Sequence, residues 1–305
     1  MISKHKIGEF QNLILTWYQN NQRDLPWRKT RDPYRILISE VMSQQTQLSR
    51  VISKYTAWVE KFPTIQSLAA AKTSDVLKYW SGLGYNRRAL NLKKTAEIIV
   101  EKHNSKFPQS EEELLSLPGI GKYTARAVLC FAFEQQISVV DTNVRKVILT
   151  QVLNSENTEY SEIRTVQKTE DLIVRDSDTP SGPSFLTKSD TKIDERLIEN
   201  IATQLLPSGK AYEWNQALMD YAAAVLKKEK IPIYKQSKFK GSRRYYRGQI
   251  LKMILEKKKI PIDDLGILIK KDFTIAEKKW LLKLLEDLEK EGFIRIKHKS
   301  VELAS

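Results

Sequence analysis

Apolar and polar residues recur at helical spacing along most of the chain. Residues 8–20 set Phe10, Leu13, Ile14 and Tyr18 on one face, the stripe of a helix packed against a core. Asp32 and Pro33 read as the N-cap and first position of a second helix, which turns Ile36, Leu37, Val41 and Met42 inward. Further helices are predicted at about 48–61, 65–80 and 88–103, and from Tyr123 to Phe133. Helix resumes after Asn143 to about Asn154, and again at about 191–206 and 212–228, the last carrying Trp214, Ala217, Leu218, Tyr221 and Leu226.

Two stretches break this pattern. Residues 155–190 lose apolar periodicity, gain Ser, Thr, Asp and Pro, and read as a flexible insertion. Beyond residue 245, helices at about 246–257, 262–270 and 274–291 precede a turn at Gly292, a strand at Phe293–Lys297 and a return strand at Ser300–Leu303. Three helices and a hairpin make a winged-helix-like pattern, a module used for DNA and for protein contacts alike. The expected organisation is an all-α region over 1–228, a basic linker over 229–245 and a winged-helix-like domain over 246–305.

Charge sharpens this picture. The 305 residues carry a net +14, and residues 227–305 hold 22 Lys and Arg against 11 Asp and Glu, so +11 of the +14 lies in the last quarter. Such a balance points to a polyanion partner. Over Lys227–Arg247 nine basic residues face one acid and alternate with Tyr234, Phe239, Tyr245 and Tyr246, which suits a nucleic-acid backbone or a solvated linker. The single cysteine, Cys130, excludes an internal disulfide and a cysteine-based metal site, and the three scattered histidines argue against a His-ligated one. The N-terminus has no long apolar run and no stretch approaches a membrane span, so a cytoplasmic, nucleoid-associated monomer with no membrane partner is expected.

Candidate chemistry concentrates in Leu114–Val144. Leu117-Pro118-Gly119-Ile120-Gly121 is a tight turn whose glycines accept positive φ, and whose bare N–H groups open the helix that follows. The apolar run Ile137–Val140 then delivers Asp141 to the edge of a core. A phosphate cradle followed by a carboxylate suits DNA processing; a plain helix–helix turn followed by an N-cap aspartate fits the same residues. Glu40 falls on a largely apolar helix, where a carboxylate is costly unless it has a task or a partner such as Arg35 or Lys54. Gln44, Gln45, Thr46 and Gln47 offer uncharged donors and acceptors to base edges. Gly82–Ala89 is a glycine turn presenting Tyr85, Arg87 and Arg88, either a wedge for nucleic acid or an ordinary turn. Trp27 and Arg28 form a loop that could grip a base, or a hydrophobic plug beneath it.

Six pieces carry a resemblance: LPWR at 25–28, DPYRILISEVMSQQTQ at 32–47, GLGYNRRA at 82–89, LPGIGKYTARA at 117–127, VVDTNV at 139–144 and WNQALMD at 214–220. In order and spacing they resemble the helix-hairpin-helix (HhH-GPD) DNA glycosylase superfamily over residues 8–228, most closely its adenine glycosylases of the MutY type. The resemblance implies a fold of two helical subdomains and a repair enzyme that excises adenine opposite 8-oxoguanine or guanine in double-stranded DNA. It assigns Glu40 to protonate the adenine, Asp141 to face the oxocarbenium-like sugar, and Tyr123 and Asn143 to support them. Trp27, Arg28 and Ser43 would line the pocket for the flipped base. Gln45 and Tyr85 would wedge into the stack, while Gln44, Thr46, Arg87, Leu117, Gly119, Gly121 and Lys122 would contact DNA.

The pattern also sets the reaction type. Bifunctional members carry a lysine eighteen residues before the aspartate; here Tyr123 stands there, which implies a monofunctional enzyme that leaves an abasic site. Most relatives end the catalytic region with four cysteines around a [4Fe–4S] cluster, for which this chain lacks the ligands; a monovalent cation at the hairpin is compatible with the pattern. The Nudix-like domain that reads 8-oxoguanine in MutY-type enzymes is replaced by the short tail, and Ser43 stands where leucine is usual. A mismatch thymine or uracil glycosylase of the same superfamily, or a non-catalytic DNA-binding protein, are the alternatives.

Overall fold

The computed structural model describes residues 2–153, 195–228 and 238–304. The expected insertion at 155–190, the start of the helix expected at 191, and residues 229–237 of the basic stretch lie outside the described residues. In chain order the helices are α1 (Lys4–Asn21), α2 (Pro33–Ser43), α3 (Leu48–Lys61), α4 (Ile65–Ala69), α5 (Thr73–Trp80), α6 (Arg87–Lys102), α7 (Glu111–Leu115), α8 (Lys122–Phe133), α9 (Thr142–Val147), α10 (Glu195–Gln204), α11 (Ala211–Ala224) and α12 (Arg243–Lys257). The tail continues with strand β1 (Lys259–Pro261), α13 (Ile262–Ile269), α14 (Lys278–Lys290), β2 (Ile294–Lys297) and β3 (Ser300–Leu303).

The chain divides discontinuously into two units, Met1–Arg31 with Lys122–Lys235, and Asp32–Gly121 with Gln236–Ser305. In the first, α11 packs on α1 and on α9. Ser3 caps α1 by accepting the Lys6 N–H, and Ile14 and Tyr18 are its buried face. Trp214 is fully buried on α11, edge-on to Phe10 at 5.9 Å between ring centroids. An edge-on aromatic pair of this kind adds about 1 kcal/mol beyond its area.

In the second unit α4 and α5 pack on α6, and α2 and α5 on α3. Asp32 caps α2 through the Tyr34 N–H at 2.9 Å, with Pro33 at the first position, as the sequence leads one to expect. Trp58 lies edge-on to Phe62 at 5.0 Å and to Trp80 at 5.7 Å, and donates its indole N–H to Tyr34 Oη at 3.2 Å. One expected helix, 65–80, is two. Thr64 and Ser67 form a capping box that starts α4, the helix ends at Ala70, and Lys72 in extended geometry (φ −66, ψ 140) starts α5 afresh. Each short helix then aims its own apolar pair or triplet, Ile65 and Leu68 or Val76, Leu77 and Trp80, at the core.

The tail packs α12, α13 and α14 around Ile250, Ile254, Leu265, Leu285 and Leu288 and closes them with an antiparallel sheet of order β1-β3-β2. The β2–β3 hairpin falls where alternation places it, turning through His298 and Lys299 at positive φ, with Ile296 opposite Val301. β1, whose Ile260 pairs with Val301 from the other side, is only three residues long and ends in proline, too short to show a period. The same brevity hides α7, capped by Ser110.

Candidate functional site

In the first unit the carboxylate of Asp141 sits where Ile137–Val140 leaves the core. Asp141 is the N-cap of α9: Oδ1 accepts the Val144 N–H at 2.7 Å and Oδ2 accepts the Asn143 side-chain amide at 2.8 Å. The N-cap reading and the catalytic reading therefore describe one geometry, since capping is what holds the carboxylate still. The group is half-buried. Desolvation pushes its pKa above the ordinary aspartate value, and the Val144 N–H, the Asn143 donors and the charge of Arg23 only partly offset that. Tyr123, half-buried in the first turn of α8, and exposed Lys122 belong to the same unit; Lys122 Nζ lies 2.5 Å from Glu199.

The strand-like approach to Asp141 is held by a residue that pattern reading passes over. Asn215 of α11, 1% exposed, accepts the Val139 N–H at 2.8 Å and donates to the carbonyls of Ile137 at 3.0 Å and Ala211 at 2.8 Å. Five residues on, buried Asp220 accepts Arg28 Nη1 and Nη2 at 2.7 Å each and the Arg23 backbone N–H at 2.9 Å. The LPWR and WNQALMD stretches are thus two halves of one ion pair. Arg28 Nε is buried with no acceptor among the described residues. Trp27, in the 3-10 turn Pro26–Lys29, is buried at 7% exposure. The available signal for these roles is polar residues on an otherwise apolar helix, Asn215, Gln216 and Asp220 all being buried. Asn215→Ala would orphan the Val139 N–H, and a loss of about 1–3 kcal/mol is expected in denaturant unfolding, with activity falling further than stability as Asp141 loosens.

In the second unit Glu40 is 8% exposed on α2, so it is no solvent-edge residue, and Arg35 pairs instead with Asp32 at 3.7 Å. Ser43 ends the same helix. Gln45 (φ +53) and Tyr85 (φ +47) both occupy the left-handed region, which is uncommon for side chains of this size. Gln45 is exposed, Gln44 and Thr46 half-buried. Arg88 ties the two turns together. Its Nη1 donates to the carbonyls of Val41 at 2.5 Å and Gln44 at 2.8 Å, and its Nη2 to those of Leu83 and Gly84 at 3.3 Å each. Burial brings its pKa down to about 10, against a weaker upward pull from Tyr85. Arg87, the neighbour singled out from sequence for DNA, donates to the Glu291 carbonyl at 2.7 Å.

The hairpin is anchored by α6. Thr95 Oγ1 donates to the Pro118 carbonyl at 3.0 Å, and Leu117 is buried. Only Gly119 (φ +77) takes the left-handed backbone expected of both glycines; a Cβ there would also meet the Asn91 amide at 2.6 Å. At Gly121 a Cβ would meet nothing within 4 Å.

A four-cysteine cluster does not fit this chain. Its one thiol, Cys130, is fully buried in α8 with Sγ 3.4 Å from Asn215 Nδ2. Among the described residues no group of three or more His, Cys, Asp or Glu is placed to hold a metal ion, and no helix is long and apolar enough to cross a membrane.

Residues 38–171 match the model of the HhH-GPD superfamily of base excision DNA repair proteins. The adenine DNA glycosylase of Mycobacterium tuberculosis (strain CDC 1551 / Oshkosh) is 50% identical over 136 residues, 44% of this chain and 45% of that protein. The adenine DNA glycosylase of Homo sapiens is 41% identical over 152 residues, 47% of this chain and 28% of that protein. The chain therefore spans about half the length, or less, of the curated relatives it matches. A solved thermostable thymine-DNA glycosylase superposes with a TM-score of 0.58 at 28% identity, over 72% of this chain and 87% of that one. Endonuclease III in a non-covalent DNA complex superposes at 0.52 with 19% identity, over 72% and 86%, a likeness of fold alone. With its hairpin anchored on α6 and a capped aspartate at the head of α9, the region over residues 38–171 is similar to the HhH-GPD superfamily of base excision DNA repair proteins.

Proposed function

We propose that the chain is a monofunctional adenine DNA glycosylase, hydrolysing the N-glycosidic bond of adenine mispaired with 8-oxoguanine or guanine in double-stranded DNA. The reading is carried by the 50% identity to an adenine DNA glycosylase over 136 residues. Glu40, buried on α2, gives a proton to the adenine ring. The C1′–N9 bond breaks with its electron pair leaving on the base, and the sugar becomes cationic. Asp141, fixed by Val144 and Asn143, stabilises that cation until water adds to C1′ and loses its proton. Tyr123 offers no amine for a Schiff base, so the product is an intact strand with an abasic site.

The thymine glycosylase likeness supports a second reading, removal of thymine opposite guanine. Single-turnover assays on duplexes with A opposite 8-oxoguanine, A opposite G and T opposite G, each with and without hot alkali, separate the two. Adenine release with strand breakage only after alkali is expected. Thymine release would move the protein to the second reading, and breakage without alkali would contradict the monofunctional one. The surplus of basic residues further predicts affinity for duplex that falls steeply between 50 and 200 mM salt, by about 10³-fold if some six phosphates are contacted; a flat titration would contradict it.

A further inference from the structure

Within the second unit the C-terminal domain grips the Tyr85 turn at two points. Arg244, in the first turn of α12, donates Nη1 to the Tyr85 hydroxyl at 3.0 Å. Arg87, beside the turn, donates to the backbone carbonyl of Glu291 just past α14 at 2.7 Å. Tyr85 itself is 42% exposed at positive φ, a bulky side chain in a conformation that persists only where its surroundings impose it. Arg88 holds the turn from below, its guanidinium 5.5 Å from the ring centroid, and Arg244 holds the outer end of the ring.

The rest of the domain is poorly suited to reading DNA through α14, the helix that enters the major groove in related modules. From Lys278 to Glu291 four lysines are balanced by four acids. Several are engaged within the domain: Lys278 with Asp263, Lys283 and Arg243 with Asp287, and Arg247 with Glu291. What the domain does offer is a fixed grip on an exposed aromatic ring, and such rings stack on bases.

We infer that Arg244 is a positioning residue: through the Tyr85 hydroxyl it sets the pose of the ring, and so the C-terminal domain governs discrimination of the base opposite the one excised. This rests on the adenine glycosylase reading above. A ring pinned at its hydroxyl presents one face at one angle to the partner base. A ring released there pivots on χ1 and χ2 and accepts 8-oxoguanine, guanine and cytosine more evenly.

The test uses the full chain with Arg244→Ala, Arg244→Lys, Tyr85→Phe and the Arg244→Ala/Tyr85→Phe double variant. Single-turnover rates and affinities are measured separately on duplexes with adenine opposite each of the three bases. Arg244→Ala and Tyr85→Phe should each lower the 8-oxoguanine over guanine preference about fivefold, the size of one net hydrogen bond. The double variant should be no worse than either, and Arg244→Lys should restore part of the preference, with Tm unchanged throughout. Additive losses, or a preference unmoved by Arg244→Ala, would overturn the inference. The same four changes in an Asp141→Asn background, read by affinity alone, keep the two claims apart. Absence of adenine release by the wild-type chain with the affinity preference still governed by Arg244 would sink the glycosylase reading and leave this one standing. If affinity is indifferent to Arg244 as well, the positioning role is wrong.

Discussion

Asp141→Asn is expected to lower single-turnover base excision on the order of 10³-fold, the scale of removing a charge aimed at a developing cation, while leaving Tm no lower than wild type. The two halves have one cause. Desolvation holds the Asp141 carboxyl above the ordinary aspartate range, so its ionised form is disfavoured in the folded chain relative to the unfolded one. A group raised in this way lowers stability at every pH above its folded pKa, and the loss is relieved as pH falls toward the unfolded value. Asparagine keeps an oxygen to accept the Val144 N–H, now 2.7 Å from Oδ1, and removes the desolvated charge. The wild-type rate should also fall on the acid side at a pH above the usual carboxylate range, as Asp141 takes up its proton. A variant that is inactive and also markedly less stable would mean that capping α9, not charge, is the main task of this residue. Retained excision would remove Asp141 from the chemistry.

How much of this was legible in the sequence follows from range. Local signals hold well. The Asp32-Pro33 start of α2, the span of α3 and the β2–β3 hairpin all depend on neighbours within a few residues, and all stand close to where they are expected; on α1, Leu13, expected on the inward face, is instead 55% exposed. The split of 65–80 into α4 and α5 is itself local, but Thr64 and Ser67 look unremarkable until their reciprocal capping bonds are seen. The elements that escape, α7 and β1, are too short to repeat any period.

The candidate site divides along the same line. Asp141, Glu40 and the hairpin are visible because a motif carries them, and the motif is silent on who holds them in place. Arg88 reads as one of two arginines on a glycine turn that is either a wedge for nucleic acid or an ordinary turn; only the fold turns it inward onto four carbonyls. Asn215 and Asp220 read as polar interruptions of an apolar helix, and their partners at Val139 and Arg28 are 76 and 192 residues away. A charge count places +11 in the tail, but the pairing of Lys278, Lys283 and Arg243 with tail acids, which moves the interest from α14 to α12, exists only in three dimensions.

That distant pairing sets the largest expected effect on stability. Asp220→Ala should destabilise the chain by about 3–5 kcal/mol, because it leaves the Arg28 guanidinium, 9% exposed, without its counter-charge and strips the Arg23 N–H of its acceptor. Burial alone would raise the Asp220 pKa; the hydrogen bonds and charge of Arg28, with the Arg23 donors, outweigh it and hold the carboxyl below the ordinary value. A group depressed in this way contributes stability that is complete above the unfolded carboxylate pKa of about 4 and drains as pH falls through the folded one. The wild-type chain should therefore lose stability more steeply below about pH 4 than the variant, which has no such contribution left to lose. Removing both partners separates a buried pair from a buried orphan. Arg28→Met with Asp220→Leu fills a similar volume with apolar atoms and should recover most of the stability lost by Asp220→Ala. Urea midpoints and slopes on the three chains at pH 7 and near pH 3.5 read all of this. A double variant no more stable than Asp220→Ala would show that the Arg23 N–H and the packing of the Pro26–Lys29 turn on α11, not the charge left on Arg28, account for the cost.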